Sequence, residues 1–279
     1  MSSTRMANNA EGTRIAFERA MRVFMECLGD RHVETLTTQD MTVLVAHIYR
    51  LPGKHANSVY SRMFMRYMAA AGYIARNPMA LVPQVRLEKP KPKVGIEHDE
   101  YLRLLDAAGD RPIRIVVQLG WYTGMALIDC CTIKWKHVDL HRLVIEKHRQ
   151  KTGSLSVIPF AHNGDLHRAF LDLRDRFPLN RSPEDKIHPA FTSDSDSMRV
   201  LMHGLFRKAG IVGKSFHCFR VSMATNLLDN RVPLHDAMRI TGHTSPAIFM
   251  GYAKSSTDGL RRAIDSVRYN LPTGETALL

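Results

Sequence analysis

The chain has 279 residues, of which 44% are hydrophobic and 24% charged, a size and composition suited to two globular domains. Its 39 Lys and Arg residues outnumber 27 Asp and Glu, for a formal net charge of +12. This excess favours a nucleic-acid partner, because binding a polyphosphate releases counterions, although charge alone also fits a merely basic soluble protein. No apolar run reaches the roughly 18 to 20 residues of a membrane span, and the N-terminus lacks the apolar core of a signal peptide, so we expect a cytoplasmic protein.

The first third of the chain predicts a small helical bundle. Amphipathic spacing indicates helices over Gly12–Leu28 and His55–Ala71, and between them another helix begins at Thr37, with Asp40 three residues on as its capping partner. We assign residues 1–88 to this domain and expect it to bind DNA. Its candidate DNA contacts are Lys54, Arg62 and Arg66.

A Lys/Pro-rich segment then interrupts every periodic pattern. Residues 88–93 read Glu-Lys-Pro-Lys-Pro-Lys, a semi-extended and strongly positive sequence, so we place a linker at residues 89–95. It could lie along DNA phosphates through Lys89, Lys91 and Lys93, and a plain spacer fits the sequence equally well.

Residues 96–279 predict a second domain, mainly α-helical with a small β-sheet. The predicted elements are helices over Ile96–Ala108, Ile113–Tyr122 and Met125–Trp135, and strands over Leu143–Glu146 and Ser154–Phe160. The two strands flank a basic hairpin tip at Lys151, and the patterns after about Leu166 are mostly helical.

The residues best suited to chemistry lie near the C-terminus. His217 and Arg220 are three apart on a predicted helix, so an imidazole and a guanidinium can converge on one phosphate. Tyr252 follows His243 by nine residues, and a phenol beside such a phosphate is a candidate nucleophile. Taken singly, the same residues also fit a salt-bridged helix pair, a turn and a packing tyrosine.

Taken together, these motifs resemble the tyrosine recombinases, the phage-integrase family. The segment that carries the resemblance is FHCFRVSMATNLLDNRVPLHDAMRITGHTSPAIFMGYAK, with the family's order of HxxR, GH and Tyr. The resemblance extends through YTGMALIDCCTIKWKHVDL and the RQKTGSLSVIPF hairpin to most of residues 12–270.

The resemblance implies a role for each matching residue. Tyr252 would attack the scissile phosphate of DNA and form a 3′-phosphotyrosyl link, which retains the bond energy, so that rejoining needs neither ATP nor another cofactor. Arg220 would stabilise the phosphate charge, and His217 would bind the phosphate and move protons. His243 would orient the reacting groups, and Lys151 would protonate the leaving 5′-oxygen. A solvated turn lysine remains the alternative for Lys151.

One family position differs. After Thr123-Gly124 the family has a hydrophobic residue and then an arginine, and here Ala126 stands in place of the arginine, while Asp129 still occupies the usual acidic position. Loss of one preorganised charge donor typically costs about 10² to 10³ in rate, so we expect impaired cleavage. Three explanations are open: an engineered substitution, a natural non-cleaving relative, or an arginine supplied from elsewhere in the fold. The first is favoured because the other catalytic positions look intact.

Beyond Tyr252, an amphipathic pattern predicts a helix over about 259–270. In the family such tails are exchanged between protomers, which implies a free monomer that forms a homotetramer on paired double-stranded DNA sites, and nucleoid association when it is bound. A tail folded back on its own domain is the alternative.

The resemblance implies a site-specific recombinase acting through a Holliday junction, and the main rival is a DNA-binding regulator that does not cut. The two-domain layout argues against a type IB topoisomerase. A metal hydrolase is disfavoured because neither His217 nor His243 has a ligand at i+4 to make a zinc pair.

Overall fold

A computed structural model gives the structure of residues 11–84, 94–191, 195–252, 259–261 and 264. The chain divides into a first unit, Met1–Lys91, and a second unit, Pro92–Leu279. The predicted linker brackets this division, and its Lys89, Lys91 and Lys93 lie outside the described residues.

The first unit is helical, as predicted. Helix α1 spans Glu11–Leu28, α2 spans Thr38–Arg50 and α3 spans Lys54–Ala70. The predicted cap of α2 is confirmed: the Asp40 amide donates to the Thr37 hydroxyl (3.3 Å), and the Thr37 amide donates to the Asp40 carboxylate (2.8 Å). Hydrogen bonds from Thr37 lower the pKa of Asp40 to about 2. The apolar faces of the helices meet in a core that includes Met41, Leu44, Ile48 and Met65.

The second unit is mainly helical with one small sheet, which confirms the predicted fold class. Its elements are α4 (His98–Ala108), α5 (Ile113–Thr123), α6 (Leu127–Cys131), β1 (Val138–Asp139), β2 (Val144–His148), β3 (Leu155–Pro159), α7 (Asp165–Arg176), α8 (Ser195–Lys208), α9 (His217–Asp229), α10 (Leu234–Thr241) and α11 (Pro246–Tyr252). The strands are antiparallel in the order β1-β2-β3, and Glu146 pairs with Val157 at the centre of the hairpin.

The predicted helix Met125–Trp135 is wrong in its length, and β1 was not predicted. Helix α6 covers Leu127–Cys131, and a short 3-10 turn follows at Trp135–His137. The helix stops because the next residues pair with a distant segment: Lys134 forms an isolated bridge with Lys186, and the Trp135 amide donates to the Asp185 carbonyl. A tertiary backbone pairing therefore overrides the local helical pattern.

Helix α9, which carries His217 and Arg220, is fixed from both sides. Gly120 of α5 faces it so closely that a Cβ there would lie 2.7 Å from the Phe219 ring. The buried Ser222 hydroxyl accepts from the Ile96 amide (2.6 Å) and lies within bonding distance of the Ile96 carbonyl (2.9 Å). The start of the second unit is thus attached to the helix that bears the candidate site.

At the C-terminus, residues 259–261 and 264 are helical, and Leu260 and Ile264 are exposed. The remainder of the helix predicted over 259–270 lies outside the described residues. Among the described helices, none is both long and apolar enough to cross a membrane.

We predict that Ser222→Ala destabilises the second unit by roughly 1–3 kcal/mol, because the buried Ile96 amide loses its acceptor. Both tryptophans of the chain, Trp121 and Trp135, lie in this unit, so urea unfolding followed by tryptophan fluorescence reports on it. Val212→Ala, at a side chain that is 91% exposed, serves as the control and should change stability by less than about 0.5 kcal/mol. Equal effects of the two substitutions would contradict the role given to Ser222.

Candidate active site

Arg220 lies at the centre of the candidate site, with 3% of its surface exposed. Its guanidinium donates to the carbonyl oxygens of Gly124 (3.1 Å) and Thr241 (2.6 Å) and to Nε2 of His243 (3.0 Å). Burial, and next the positive charge of Arg149, lower its pKa to about 10, so Arg220 remains charged at neutral pH. The site therefore holds a buried cation with several fixed acceptors.

Two helix C-termini provide the carbonyl oxygens around Arg220. Helix α5 ends at Gly124 and α10 ends at Gly242, and both glycines adopt positive φ (60° and 64°). A Cβ on Gly124 would lie 2.8 Å from Met223, so the turn requires glycine for space as well as for conformation. The negative ends of two helix dipoles thus stabilise the buried guanidinium.

His243 is held in one neutral tautomer. The Thr241 hydroxyl donates to the Ala237 carbonyl (2.7 Å), which uses its single proton, so His243 Nδ1–H must donate to the Thr241 oxygen (2.7 Å). The lone pair on Nε2 then accepts from Arg220. Burial, followed by the nearby charge of Arg220, lowers the pKa of His243 to about 3.

Tyr252 ends helix α11 beside these groups. Its ring centroid lies 5.0 Å from that of His217 and 5.1 Å from that of His243, and the guanidinium carbon of Arg220 is 5.8 Å from it. The structure thus brings together the four side chains selected from the sequence, which lie on two helices and one turn. A nucleophile, two imidazoles and a guanidinium at one point are suited to reaction at a phosphate.

Comparison with known proteins identifies the family of the chain. The sequence model of the phage integrase family matches residues 95–258, more than half of the chain. The chain belongs to the phage integrase family, the tyrosine recombinases. It is 24% identical to the integrase of Escherichia phage HK022 over 258 residues, covering 87% of this chain and 70% of that protein. It is also 24% identical to tyrosine recombinase XerC of Bacillus pumilus over 269 residues, covering 88% of this chain and 86% of the relative. Other relatives are matched over less of their length, 58% for the XerC-like recombinase of Caldanaerobacter subterraneus.

Solved structures share the fold. A lambda integrase dimer bound to a core site superposes with a TM-score of 0.71 at 20% identity, covering 90% of this chain and 91% of that one. A lambda integrase tetramer bound to a Holliday junction gives a TM-score of 0.73 at 17% identity, covering 96% and 77%.

Ala126, the residue expected from the sequence to stand at the family's first arginine position, lies beside an open cavity. Ala126 is the extended residue before α6, and it lines a cavity of about 340 Å³ together with His217, Lys214 and Arg199. An arginine at 126 would border the same cavity as His217, and the cavity has room for that side chain.

The other predicted site residues are more dispersed. Lys151 lies exposed in the turn of the β2–β3 hairpin, and its contact with the scissile phosphate stays a prediction. Lys54 and Arg66 are exposed on α3. Arg62 instead donates to the carbonyl oxygens of Met79, Val82 and Pro83, so its guanidinium stabilises the end of the first unit. Its DNA contact stays a prediction.

The sequence interpretation missed Arg149 and the structural role of Asp129. Arg149 donates to the Gly242 carbonyl (2.9 Å), and its Nε lies 3.7 Å from the carboxylate of Asp129. Asp129 is buried and also accepts from the Gln150 amide (2.9 Å). The sequence signal that could have identified Arg149 was a second cationic residue two positions before Lys151 in the same basic hairpin.

Within the described residues no group of three or more His, Cys, Asp or Glu is placed to hold a metal ion.

We predict that His243 stays neutral and protonated on Nδ1 from pH 8 down to about pH 4, because its pKa is lowered to about 3. The unfolded chain binds a proton near pH 6.5 and the folded chain does not, so this histidine contributes stability above pH 6.5 that is lost as the pH falls toward 3. Ring-nitrogen NMR shifts, assigned with a His243→Gln variant, measure this. Titration near pH 6.5 would show that the Thr241 and Arg220 contacts do not hold the neutral form.

Proposed function

We propose that the protein is a site-specific DNA recombinase that cuts and rejoins strands through a 3′-phosphotyrosyl intermediate and a Holliday junction. The observation that carries the proposal is the packing of the Tyr252 ring against both His217 and His243, next to the buried Arg220. Its substrate is double-stranded DNA carrying paired recombination sites. The protein acts as a homotetramer on DNA and is a monomer when free.

Each group has a defined part in the reaction. The Tyr252 oxygen forms a bond to the scissile phosphorus while the bond to the 5′-oxygen breaks, and Lys151 supplies the proton that the leaving oxygen takes up. Arg220 stabilises the added negative charge, and His217 binds the phosphate and accepts the phenol proton. Neutral His243, held by Thr241, fixes the Arg220 guanidinium through its Nε2. Rejoining reverses these steps with a different 5′-hydroxyl, so the bond energy is conserved.

Ala126 slows the cleavage step in this proposal. The family arginine would add a second charge on the phosphate from the side of His217, and the space it would fill is open. DNA affinity is retained, because it rests on many phosphate contacts rather than on one side chain. The same observation supports a second candidate function, a DNA-binding regulator that never cleaves.

We predict that Ala126→Arg increases covalent adduct formation by about 10² to 10³ fold, and that Tyr252→Phe abolishes it. The substrate is a pool of randomised duplexes, each nicked so that the cleaved fragment diffuses away and the adduct accumulates. Adducts that survive denaturant are quantified and their DNA is sequenced, which also identifies the preferred site.

The end of the DNA strand that is linked to the protein provides a further control. A tyrosine linked to the 3′ end of the DNA, formed equally in EDTA, supports the recombinase. DNA binding without any adduct from the Ala126→Arg protein would leave the regulator as the function of this chain.

We predict different effects for two arginines of α3. Arg66→Ala should lower DNA affinity and reduce the slope of log K against log salt by about 0.9, without changing the stability of the first unit. Arg62→Ala should destabilise that unit, because Met79, Val82 and Pro83 lose a shared donor. Salt titrations of binding and hydrogen exchange of the first unit separate the two cases, and an unchanged slope for Arg66→Ala would remove Arg66 from the DNA interface.

A further inference from the structure

Arg149 is a second arginine beside Arg220. It lies at the start of the β2–β3 turn with 13% of its side chain exposed. Arg149 donates to the carbonyl of Gly242 and Arg220 donates to that of Thr241, so the two guanidinium groups are held by adjacent peptide units. A Cβ on Gly242 would collide with the Arg149 side chain, which shows how closely the hairpin contacts the end of α10.

The buried surroundings of this pair carry more positive than negative charge. Arg149, Arg220 and Lys147 line one small cavity together with a single carboxylate, that of Asp129. Burial lowers the pKa of Lys147, and the charge of Arg149 contributes to the lowered pKa values of Arg220 and His243. Buried charge of one sign is costly unless an opposite charge compensates it, and the DNA phosphate proposed above as substrate is an anion that would do so.

Resting on the proposed function, we propose that Arg149 supplies the second guanidinium for the scissile phosphate, in the role that residue 126 cannot fill. Arg149 would reach the phosphate from the hairpin beside Gly242. An arginine at 126 would reach it from the cavity that His217 also lines. Asp129 stabilises Arg149 in this place, and the Gln150 amide keeps Asp129 oriented.

The other cations near Ala126 are less suited to this role. Arg199 lines the cavity beside Ala126, but its side chain is 71% exposed and is paired with Asp196 (2.6 Å). Lys214 is engaged by Glu100 (2.6 Å) and by the Gly95 carbonyl (2.7 Å), and it lacks the fork that grips two phosphate oxygens. Arg149 combines a guanidinium, burial and direct proximity to Arg220.

A double-mutant cycle tests the proposal. The rate of adduct formation in a single turnover is measured for the unmodified chain, Arg149→Gln, Ala126→Arg and the double variant, on the duplexes that the Ala126→Arg protein selects from the randomised pool. We expect Arg149→Gln to slow the unmodified chain by about 10²-fold, and to slow the Ala126→Arg chain by less than about threefold. Arg149 would then be a partial replacement for an arginine at 126: its loss slows the chain that has alanine there and has little effect once an arginine is present, while the Ala126→Arg chain remains the faster of the two.

Two control variants distinguish the loss of a charge at the phosphate from disruption of the hairpin. Arg142→Gln, at an arginine that is 66% exposed and paired with Glu146 near the same sheet, should leave the rate unchanged. Arg149→Lys should retain the melting temperature better than Arg149→Gln but recover little of the rate, since a lysine does not bind two oxygens in parallel.

Several outcomes would overturn the role of Arg149. If Arg149→Gln slowed adduct formation equally in the unmodified and Ala126→Arg chains, Arg149 would only anchor the hairpin. If the Ala126→Arg protein formed an adduct and the unmodified chain formed none, Arg149 would supply no useful charge to the phosphate. Absence of adduct from every protein is a different result, because it would refute the proposed recombinase itself.

Discussion

The buried guanidinium of Arg220 is the constraint on which the rest of the site depends. A charge this deeply buried is tolerated only when fixed acceptors surround it, and here two helix C-termini and one imidazole provide them. The positive φ at Gly124 and Gly242 follows from this need, because each turn directs a nearby carbonyl inward while leaving no room for a Cβ. The neutral state of His243 follows as well, since its Nε2 must offer a lone pair rather than a proton.

The same constraint explains how a helical scaffold holds cationic groups in place for the proposed phosphate. Arg220 and Arg149 are held by neighbouring carbonyls before any ligand arrives, so little reorganisation would be needed when an anion binds. Tyr252 packs against the two imidazoles, which limits the positions available to its ring. Positioning and charge are therefore properties of the folded chain, and in the proposed function the substrate phosphate completes the pairing of charges.

The local parts of this structure could be predicted from the sequence. The 3.6-residue period gave the helices of both units, the Thr37–Asp40 spacing gave a capping box, and the motif order selected His217, Arg220, His243 and Tyr252. Features set by distant contacts could not be predicted in this way. Helix α6 is shortened by pairing with residues 183–187, and Arg149 reaches the site through a carbonyl 93 positions along the chain. Neither contact can be predicted from the helical or strand periodicity of the nearby sequence.

The structural role of Asp129 changes how the substitution at Ala126 is interpreted. In the sequence, Asp129 at its usual acidic position indicates that the alignment with the family is in register, and the other intact catalytic positions favour an engineered substitution at 126. In the fold, however, Asp129 binds the Gln150 amide and lies beside the Arg149 guanidinium, so it holds the hairpin whatever residue stands at 126. Asp129 therefore has a structural role that does not require an arginine at 126, and its contact with Arg149 is part of the support for the proposal that another guanidinium of the fold takes the place of that arginine.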